Sequence, residues 1–213
     1  MNFAEYNVKD ANLEEILLAL KSLDTVEAVA LGGSRSTGAS DENSDYDIYV
    51  YCAEIPTAET RENLLEKYCS IAEFGNHYWE SEDNTVMNNG IPVDIIYREV
   101  DRFGRYIDTV IKGGKAFNGY TTAFWHNIKN SKVLFDKTGT FTKFRDMAQI
   151  DFPENLRSAI IKNNRNLLNG KLPSYDRQIK KAQERGDIVS VNHRITAFLE
   201  SYFDVIFALN RQT

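Results

Sequence analysis

The sequence predicts an α/β (α+β) fold in which helices flank a mixed β-sheet and a helical C-terminal domain follows. Two observations support this fold class. Short β-rich runs alternate with amphipathic helical patterns up to about residue 148. After Pro153 every periodic segment has helical spacing. We therefore divide the chain into domains 1–148 and 149–213.

Composition and charge exclude several classes of protein. The chain has 213 residues, of which 42% are hydrophobic and 26% charged, a composition that excludes disordered and low-complexity proteins. Its 25 Lys and Arg residues against 31 Asp and Glu residues give a net charge of −6. A broad surface for nucleic acid is not expected at this charge, whereas a local pocket for a small anionic ligand is compatible with it.

The sequence also indicates the cellular compartment of the protein. Its two cysteines, Cys52 and Cys69, have neither zinc-site spacing nor the number that a disulfide scaffold needs. No window reaches the roughly 20 apolar residues of a membrane span, and the first residues lack the pattern of a secretion signal. We expect a cytoplasmic protein without membrane association.

The first half of the chain is predicted as follows. Apolar residues at helical spacing begin after Asn12, which forms a capping-box pattern with Glu15. Strands are predicted over 26–31 and 46–52, with a loop and a short helix between them. A helix is predicted over 59–74, with Leu64, Leu65, Tyr68 and Ile71 as its buried stripe.

The remaining elements are a hairpin and a series of helices. Asn88-Asn89-Gly90 suits a turn between strands 84–87 and 91–97, so Asp94 is expected on a strand. The patterns then predict helices over 99–112 and 121–130, a strand over 133–135, and helices over 153–168, 175–185 and 188–208.

One stretch carries a chemical pattern. Gly32-Gly33-Ser34 closes the first strand, and Asp45 and Asp47 begin the second. Because side chains alternate along a strand, the two carboxylates point the same way and need a cation between them, for which Mg²⁺ is the natural choice. The glycine turn lets backbone N–H groups approach an anion, with Ser34 and Arg35 as further donors. A phosphate beside a metal is therefore the expected ligand.

This combination resembles the signature of the DNA polymerase β-type nucleotidyltransferase superfamily over residues 26–97. The resemblance implies that Asp94 is a third catalytic carboxylate, and that Asp45, Asp47 and Asp94 hold two Mg²⁺ ions, with Mn²⁺ as a substitute. It also implies that Gly33, Ser34, Arg35 and Ser44 bind a nucleoside triphosphate, with ATP as the default donor.

The helical C-terminal region resembles that of the antibiotic-modifying branch of this superfamily. The resemblance implies transfer of AMP to a hydroxyl of a small molecule, such as an aminoglycoside-like or lincosamide-like antibiotic, with release of pyrophosphate. The alternative is an antitoxin or partner protein of the same fold that modifies or binds a protein or an RNA. A homodimer stays open, because the apolar face of the last helix is suited to packing on another chain.

Other conspicuous residues receive structural interpretations. His77, His126 and His193 lack partners at metal-ligand spacing. Trp79 and Trp125 are expected in the core. The acidic cluster of Glu80, Glu82 and Asp83 is expected on a solvated loop, with a cationic acceptor as the alternative.

Overall fold

The structure is a computed structural model that describes residues 8–41, 44–170 and 173–213. These residues form two compact units, the first from residues up to Arg105 together with 127–149, the second from 106–126 together with 150–213. The chain passes into the second unit within one helix and returns within the next. Compactness thus groups 106–126 with the C-terminal helices, and the division at 148/149 stays a prediction.

The first unit is a six-stranded mixed sheet with helices around it, which confirms the predicted fold class. The sheet has the strand order β3-β4-β5-β2-β1-β6, in which only β2 and β5 are parallel neighbours. The elements in chain order are α1 Ala11–Lys21, β1 Val26–Leu31, α2 Gly33–Thr37, β2 Tyr46–Cys52, α3 Ala58–Leu65, β3 Cys69–Asn76, β4 Ser81–Met87, β5 Pro92–Glu99, α4 Val100–Ile111, α5 Ala123–Asn130, β6 Lys132–Asp136 and α6 Thr140–Ala148.

One face of the sheet carries the main hydrophobic core. Ile48 and Val50 of β2 alternate with polar residues, and their side chains pack in one buried cluster with the apolar stripe of α1. The stripe consists of Leu13, Ile16, Leu17 and Leu20. This burial fixes which face of each strand points inward, so the intervening side chains of β2 must lie on the opposite face.

The start of α1 differs from the predicted capping box. Asp10 is the N-cap, and its Oδ1 accepts hydrogen bonds from the backbone N–H groups of Asn12 and Leu13. Asn12 therefore lies inside the first turn. The same carboxylate also accepts from the Asn89 side chain in the β4–β5 turn, so Asp10 connects the start of α1 to that turn.

The predicted helix over 59–74 is wrong beyond Leu65. A 3-10 turn, Glu66–Tyr68, ends the helix, and the chain then becomes β3, which pairs with β4. Ile71 is 65% exposed on this edge strand instead of buried. Strand pairing across the sheet outweighs a local helical pattern.

The second face of the sheet is covered by aromatic side chains from α4 and α6. Tyr51 lies 5.3–5.8 Å, centroid to centroid, from the rings of Phe103, Phe141 and Phe144. The sequence analysis missed α6, although Phe141, Phe144 and Ala148 have helical spacing and are buried. Asp136 accepts hydrogen bonds from the backbone N–H groups of Phe141 and Thr142, which fixes the start of this short helix.

The second unit contains α7 Glu154–Asn169, α8 Tyr175–Glu184 and α9 Ile188–Asn210, close to the three predicted helices. α9 leaves Leu199, Tyr202, Phe203 and Phe207 40–50% exposed. Across the described ranges, none of the helices has both the length and the hydrophobicity that crossing a bilayer requires.

A buried carboxylate ties this unit together. Asp204 of α9 is 3% exposed and accepts hydrogen bonds from the Thr121 backbone N–H, the Thr121 hydroxyl and the Asn164 side chain. Burial raises the pKa of Asp204, although these hydrogen bonds oppose the shift. Asp204 thereby joins α9 to α7 and to the segment before α5.

We predict that Asp204→Ala destabilises the second unit by about 3 kcal/mol, because three buried donors lose their acceptor. Urea unfolding followed by circular dichroism measures the change. Asp151→Ala, at an exposed position of the same unit, is the control and changes stability by less than about 0.5 kcal/mol. Equal effects of the two substitutions would contradict the role of Asp204 as a buried junction.

Candidate active site

Two of the candidate carboxylates are neighbours across the parallel strand pair. Asp47 of β2 lies in register with Asp94 of β5, so the two Cα atoms are direct partners about 4.8 Å apart. Both side chains are half-buried and lie on the face opposite the main core. The parallel pairing thus brings together two carboxylates that are 47 positions apart in the sequence.

The glycine turn after β1 approaches Asp47 closely. The backbone N–H of Gly32 donates to the carbonyl of Asp47 over 2.8 Å. Gly33 has φ +58°, and a Cβ atom at this position would lie 1.7 Å from Asp47 Oδ2. Only glycine fits between the turn and the carboxylate.

The first turn of α2 begins at this glycine. Within the described residues, no side chain caps the turn at Gly32. The first N–H groups of a helix lack acceptors within the helix. Ser34 is half-exposed in the same turn, and its carbonyl accepts from the Thr37 hydroxyl. The turn therefore presents backbone donors beside the Asp47 carboxylate.

Arg35 holds the loop that precedes β2. Its Nε donates to the carbonyls of Ser44 and Asp45 over 3.0 and 2.9 Å, and its guanidinium carbon lies 4.1 Å from the centre of the Tyr46 ring. The Ser44 hydroxyl donates to the Asp41 carboxylate over 3.0 Å. The structure thus places Arg35 and Ser44 in contacts that position Asp45.

The three candidate carboxylates share one electrostatic environment. The pKa of Asp47 is raised, first by burial and then by the negative charges of Asp45 and Asp94. Asp45 itself is exposed. Among the described residues, no three His, Cys, Asp or Glu side chains form a group arranged to hold a metal ion. The structure therefore brings the charges of Asp45 and Asp94 close to Asp47, with Asp45 the most exposed of the three.

The chemistry of the acidic side chains at this position, as distinct from their spacing, suits a hard divalent cation. The candidate metal ligands, from Asp45, Asp47 and Asp94, are carboxylate oxygens, the ligand type that Mg²⁺ and Mn²⁺ prefer. The accumulated negative charge that raises the pKa of Asp47 is the charge that a cation would neutralise. Asp45, Asp47 and Asp94 are the residues that would hold such an ion.

The acidic cluster after Trp79 is not the solvated loop that we expected. Glu82 and Asp83 are buried within β4, and Glu80 accepts from the guanidinium of buried Arg98, with its Oε2 2.7 Å from Nη2. Asp83 forms an ion pair with buried Arg61 on the core face. These partners come from distant strands and helices, which a local pattern cannot show.

Arg98 of β5 lies on the same face of the sheet as Asp94, and the sequence analysis did not single it out. It is 3% exposed, and its guanidinium carbon lies 4.1 Å from the centre of the Tyr49 ring. It also donates to the Tyr51 hydroxyl over 3.2 Å. Of the two tryptophans expected in the core, Trp125 is buried, but Trp79 is 91% exposed.

A second residue that the sequence analysis missed is Asn84 of β4. Its Nδ2 donates to Asp94 Oδ1 over 2.9 Å. Asn84 is the register partner of Asp94 in the antiparallel β4–β5 pair. The β4–β5 hairpin pattern was the available signal, because counting back from the turn places residues 84 and 94 opposite one another.

Comparison with protein families explains this arrangement. Residues 13–117 match the family described as a nucleotidyltransferase domain, and this range includes Gly33, Asp47 and Asp94. The chain contains a nucleotidyltransferase domain. This match confirms the predicted DNA polymerase β-type nucleotidyltransferase superfamily for residues 13–117. Residues 122–212 match a second family, a domain of unknown function, DUF4037.

The nucleotidyltransferase-like protein from Exiguobacterium sibiricum 255-15, known from a crystal structure, is similar in structure with 10% sequence identity and a TM-score of 0.44. The similarity covers 93% of this chain and 57% of that protein, so the chain spans a little over half its length. No protein of curated function matches the sequence.

We predict that Gly33→Ala lowers the turnover of the nucleotidyltransferase domain by about 10²-fold, because the new Cβ displaces either the turn or Asp47 by an ångström or more. Steady-state kinetics measure this loss. Gly38→Ala is the matched control, since Gly38 also has positive φ, at +79°, but its Cβ would meet no atom within 4 Å. Similar losses in both variants would show that backbone strain, and not the contact with Asp47, causes the effect.

Proposed function

We propose that the protein transfers a nucleoside monophosphate, AMP from ATP, to a hydroxyl group of a small molecule and releases pyrophosphate. The observation that carries this proposal is the position of the Asp47–Asp94 pair directly against the Gly33 turn. Carboxylates suited to a divalent cation and backbone donors suited to phosphate oxygens thus lie side by side. A nucleoside triphosphate bound with its metal needs carboxylates and backbone donors side by side.

The glycine turn would bind the phosphates of the substrate, and the carboxylates would bind its cation. The N–H groups at Gly33 and Ser34 would hold the β- and γ-phosphates, and the positive charge of Arg35 would favour them while its guanidinium keeps Asp45 in place. Asp45 and Asp47 would bind the cation that accompanies the triphosphate. A bound divalent cation, Mg²⁺ or Mn²⁺, would screen the phosphate charge and acidify the acceptor hydroxyl.

Asp94 would act on the acceptor. The acceptor oxygen attacks the α-phosphorus and forms a new P–O bond, while the bond from the α-phosphorus to the bridging oxygen breaks and pyrophosphate departs. The hydroxyl proton passes to Asp94, which Asn84 holds through one carboxylate oxygen. Positioning and charge neutralisation would supply most of the rate gain.

A small-molecule acceptor is supported by the charge of the protein. The net charge is −6, and Glu82 lies on the Asp94 face of β4, where burial and then the charge of Asp94 raise its pKa. A net negative charge disfavours a nucleic-acid backbone and favours a neutral or cationic acceptor. The free thiols of Cys52 and Cys69 support a reducing cytoplasm as the site of the reaction.

We predict that Asp94→Asn lowers kcat by about 10²- to 10⁴-fold, because the acceptor proton loses its base while shape is retained. Pyrophosphate release, measured across a panel of acceptors with ATP and Mg²⁺, reports the rate. Asp101→Asn, on the exposed first turn of α4, is the control and leaves kcat unchanged. A result in which Asp94→Asn retains wild-type turnover would remove Asp94 from the chemistry.

We predict that ATP binding depends on a divalent cation, since the carboxylates repel the phosphates unless a cation lies between them. Removal of metal with EDTA should weaken ATP binding by at least about tenfold, or 1.4 kcal/mol. Isothermal titration calorimetry measures both affinities, and excess Mg²⁺ added back must restore the first. Equal affinity with and without EDTA would refute the metal-dependent site.

A further inference from the structure

We propose that Asn84 is a positioning residue that fixes the Asp94 carboxylate for catalysis, and that Asn76 fixes Asn84 in turn. The inference rests on the proposed function, because it assigns Asp94 a role in nucleotidyl transfer. Asn84 itself carries no charge and is placed two strands away from Asp47, so it acts through Asp94.

The three side chains form a directed hydrogen-bond chain. Asn76 Nδ2 donates to Asn84 Oδ1 over 2.8 Å, and Asn84 Nδ2 donates to Asp94 Oδ1 over 2.9 Å. Asn76 Nδ2 also lies 3.3 Å from Glu73 Oε2. An ionised carboxylate only accepts hydrogen bonds, so each amide must present its NH₂ group toward Asp94 or Glu73 in this order. The hydrogen bonds therefore all run in one direction, from Asn76 through Asn84 to Asp94.

This hydrogen-bond chain leaves the second carboxylate oxygen of Asp94 available for the reaction. Asn84 is the hydrogen-bond donor to Oδ1, and the described part of the chain provides no hydrogen bond to Oδ2. A carboxylate held by one oxygen loses its freedom to rotate while the other oxygen keeps its capacity to bind a cation or accept a proton. Hydrogen bonds of this kind orient metal-binding carboxylates in proteins generally.

An irregularity in β3 puts Asn76 on the required face. Glu73 pairs with Asn84, but Asn76, not residue 75, pairs with Glu82, so β3 contains one extra residue between these points. Because side chains alternate along a strand, the extra residue turns Asn76 onto the face that carries Asn84 and Asp94. Gly75, at φ +80°, occupies the irregularity, and its N–H donates to Asp83 Oδ1 over 2.9 Å.

The neighbouring core holds this irregularity in place. Asp83 forms an ion pair with Arg61 over 3.2 Å, and both side chains are almost completely buried. A Cβ atom on Gly75 would lie 2.8 Å from the Cβ of Ala58 in α3. The register that delivers Asn76 is thus fixed by contacts on the opposite face of the sheet, independently of the site.

A double-mutant cycle on the full chain tests the proposal. The variants are Asn84→Ala, Asp94→Asn and the double variant. Asn76→Ala is added because its effect should be of the same kind but smaller. Asn88→Ala is the matched control, because Asn88 lies in the turn of the same hairpin and donates to the Lys67 carbonyl, away from the site. The readouts are kcat and KM for ATP, the affinity for Mn²⁺ measured by the EPR signal of the free ion, and the unfolding midpoint in urea.

We expect Asn84→Ala to lower kcat and Mn²⁺ affinity by about 10- to 100-fold with KM for ATP near the wild-type value, and Asn76→Ala to cause a smaller loss. In the Asp94→Asn background Asn84→Ala should cause no further loss, since a residue that acts only through Asp94 has nothing left to position. Asn88→Ala should match the wild type. The proposal is overturned if Asn84→Ala behaves like Asn88→Ala, or if its effect is equally large with and without Asp94.

The Mn²⁺ measurement separates this inference from the proposed function. A wild-type protein that binds Mn²⁺ but transfers no nucleotide would refute the proposed reaction, and the same cycle on Mn²⁺ affinity would still support or overturn the role of Asn84. A wild-type protein that does not bind Mn²⁺ would overturn the positioning role as well, because Asp94 would then have no ion to receive.

Discussion

The parallel pairing of β2 with β5 is the constraint on which the site depends. It places Asp47 beside Asp94, and it is fixed from the other face of the sheet, where Ile48, Val50 and Ile95 are buried in the core with α1. A slip of one residue would turn the carboxylates into that core and the aliphatic side chains out of it. The hydrophobic core and the reactive face are therefore two consequences of one register.

The site concentrates negative charge at a place where the fold gains nothing from it. Burial and two neighbouring carboxylates raise the pKa of Asp47, and Gly33 leaves no room for Asp47 to move away. Farther along the same face, charge is instead neutralised internally, because Arg98 pairs with Glu80 and packs against aromatic rings. The contrast separates the unneutralised negative charge around Asp47 from the Arg98–Glu80 pair, which stabilises the sheet.

The sequence was sufficient where the pattern was local. The glycine turn, the strand of Asp47 and the hairpin that carries Asp94 each lie within a few residues of their own signals, and the structure places Gly33, Asp47 and Asp94 together. It was insufficient where pairing across the sheet decided the outcome. The segment after Leu65 has helical spacing but pairs with β4, and Asn84 became visible as a partner of Asp94 only once the strand register was known.

The extra residue at Gly75 has a consequence for how such a chain tolerates change in length. β3 is an edge strand, where bulges with one extra residue are common. Here a deletion within 74–75 would restore regular pairing, and it would exchange the side chains on the two faces from that point onward. The length of this edge strand thus decides which side chains face Asn84 and Asp94, a constraint that its position at the periphery of the sheet does not suggest.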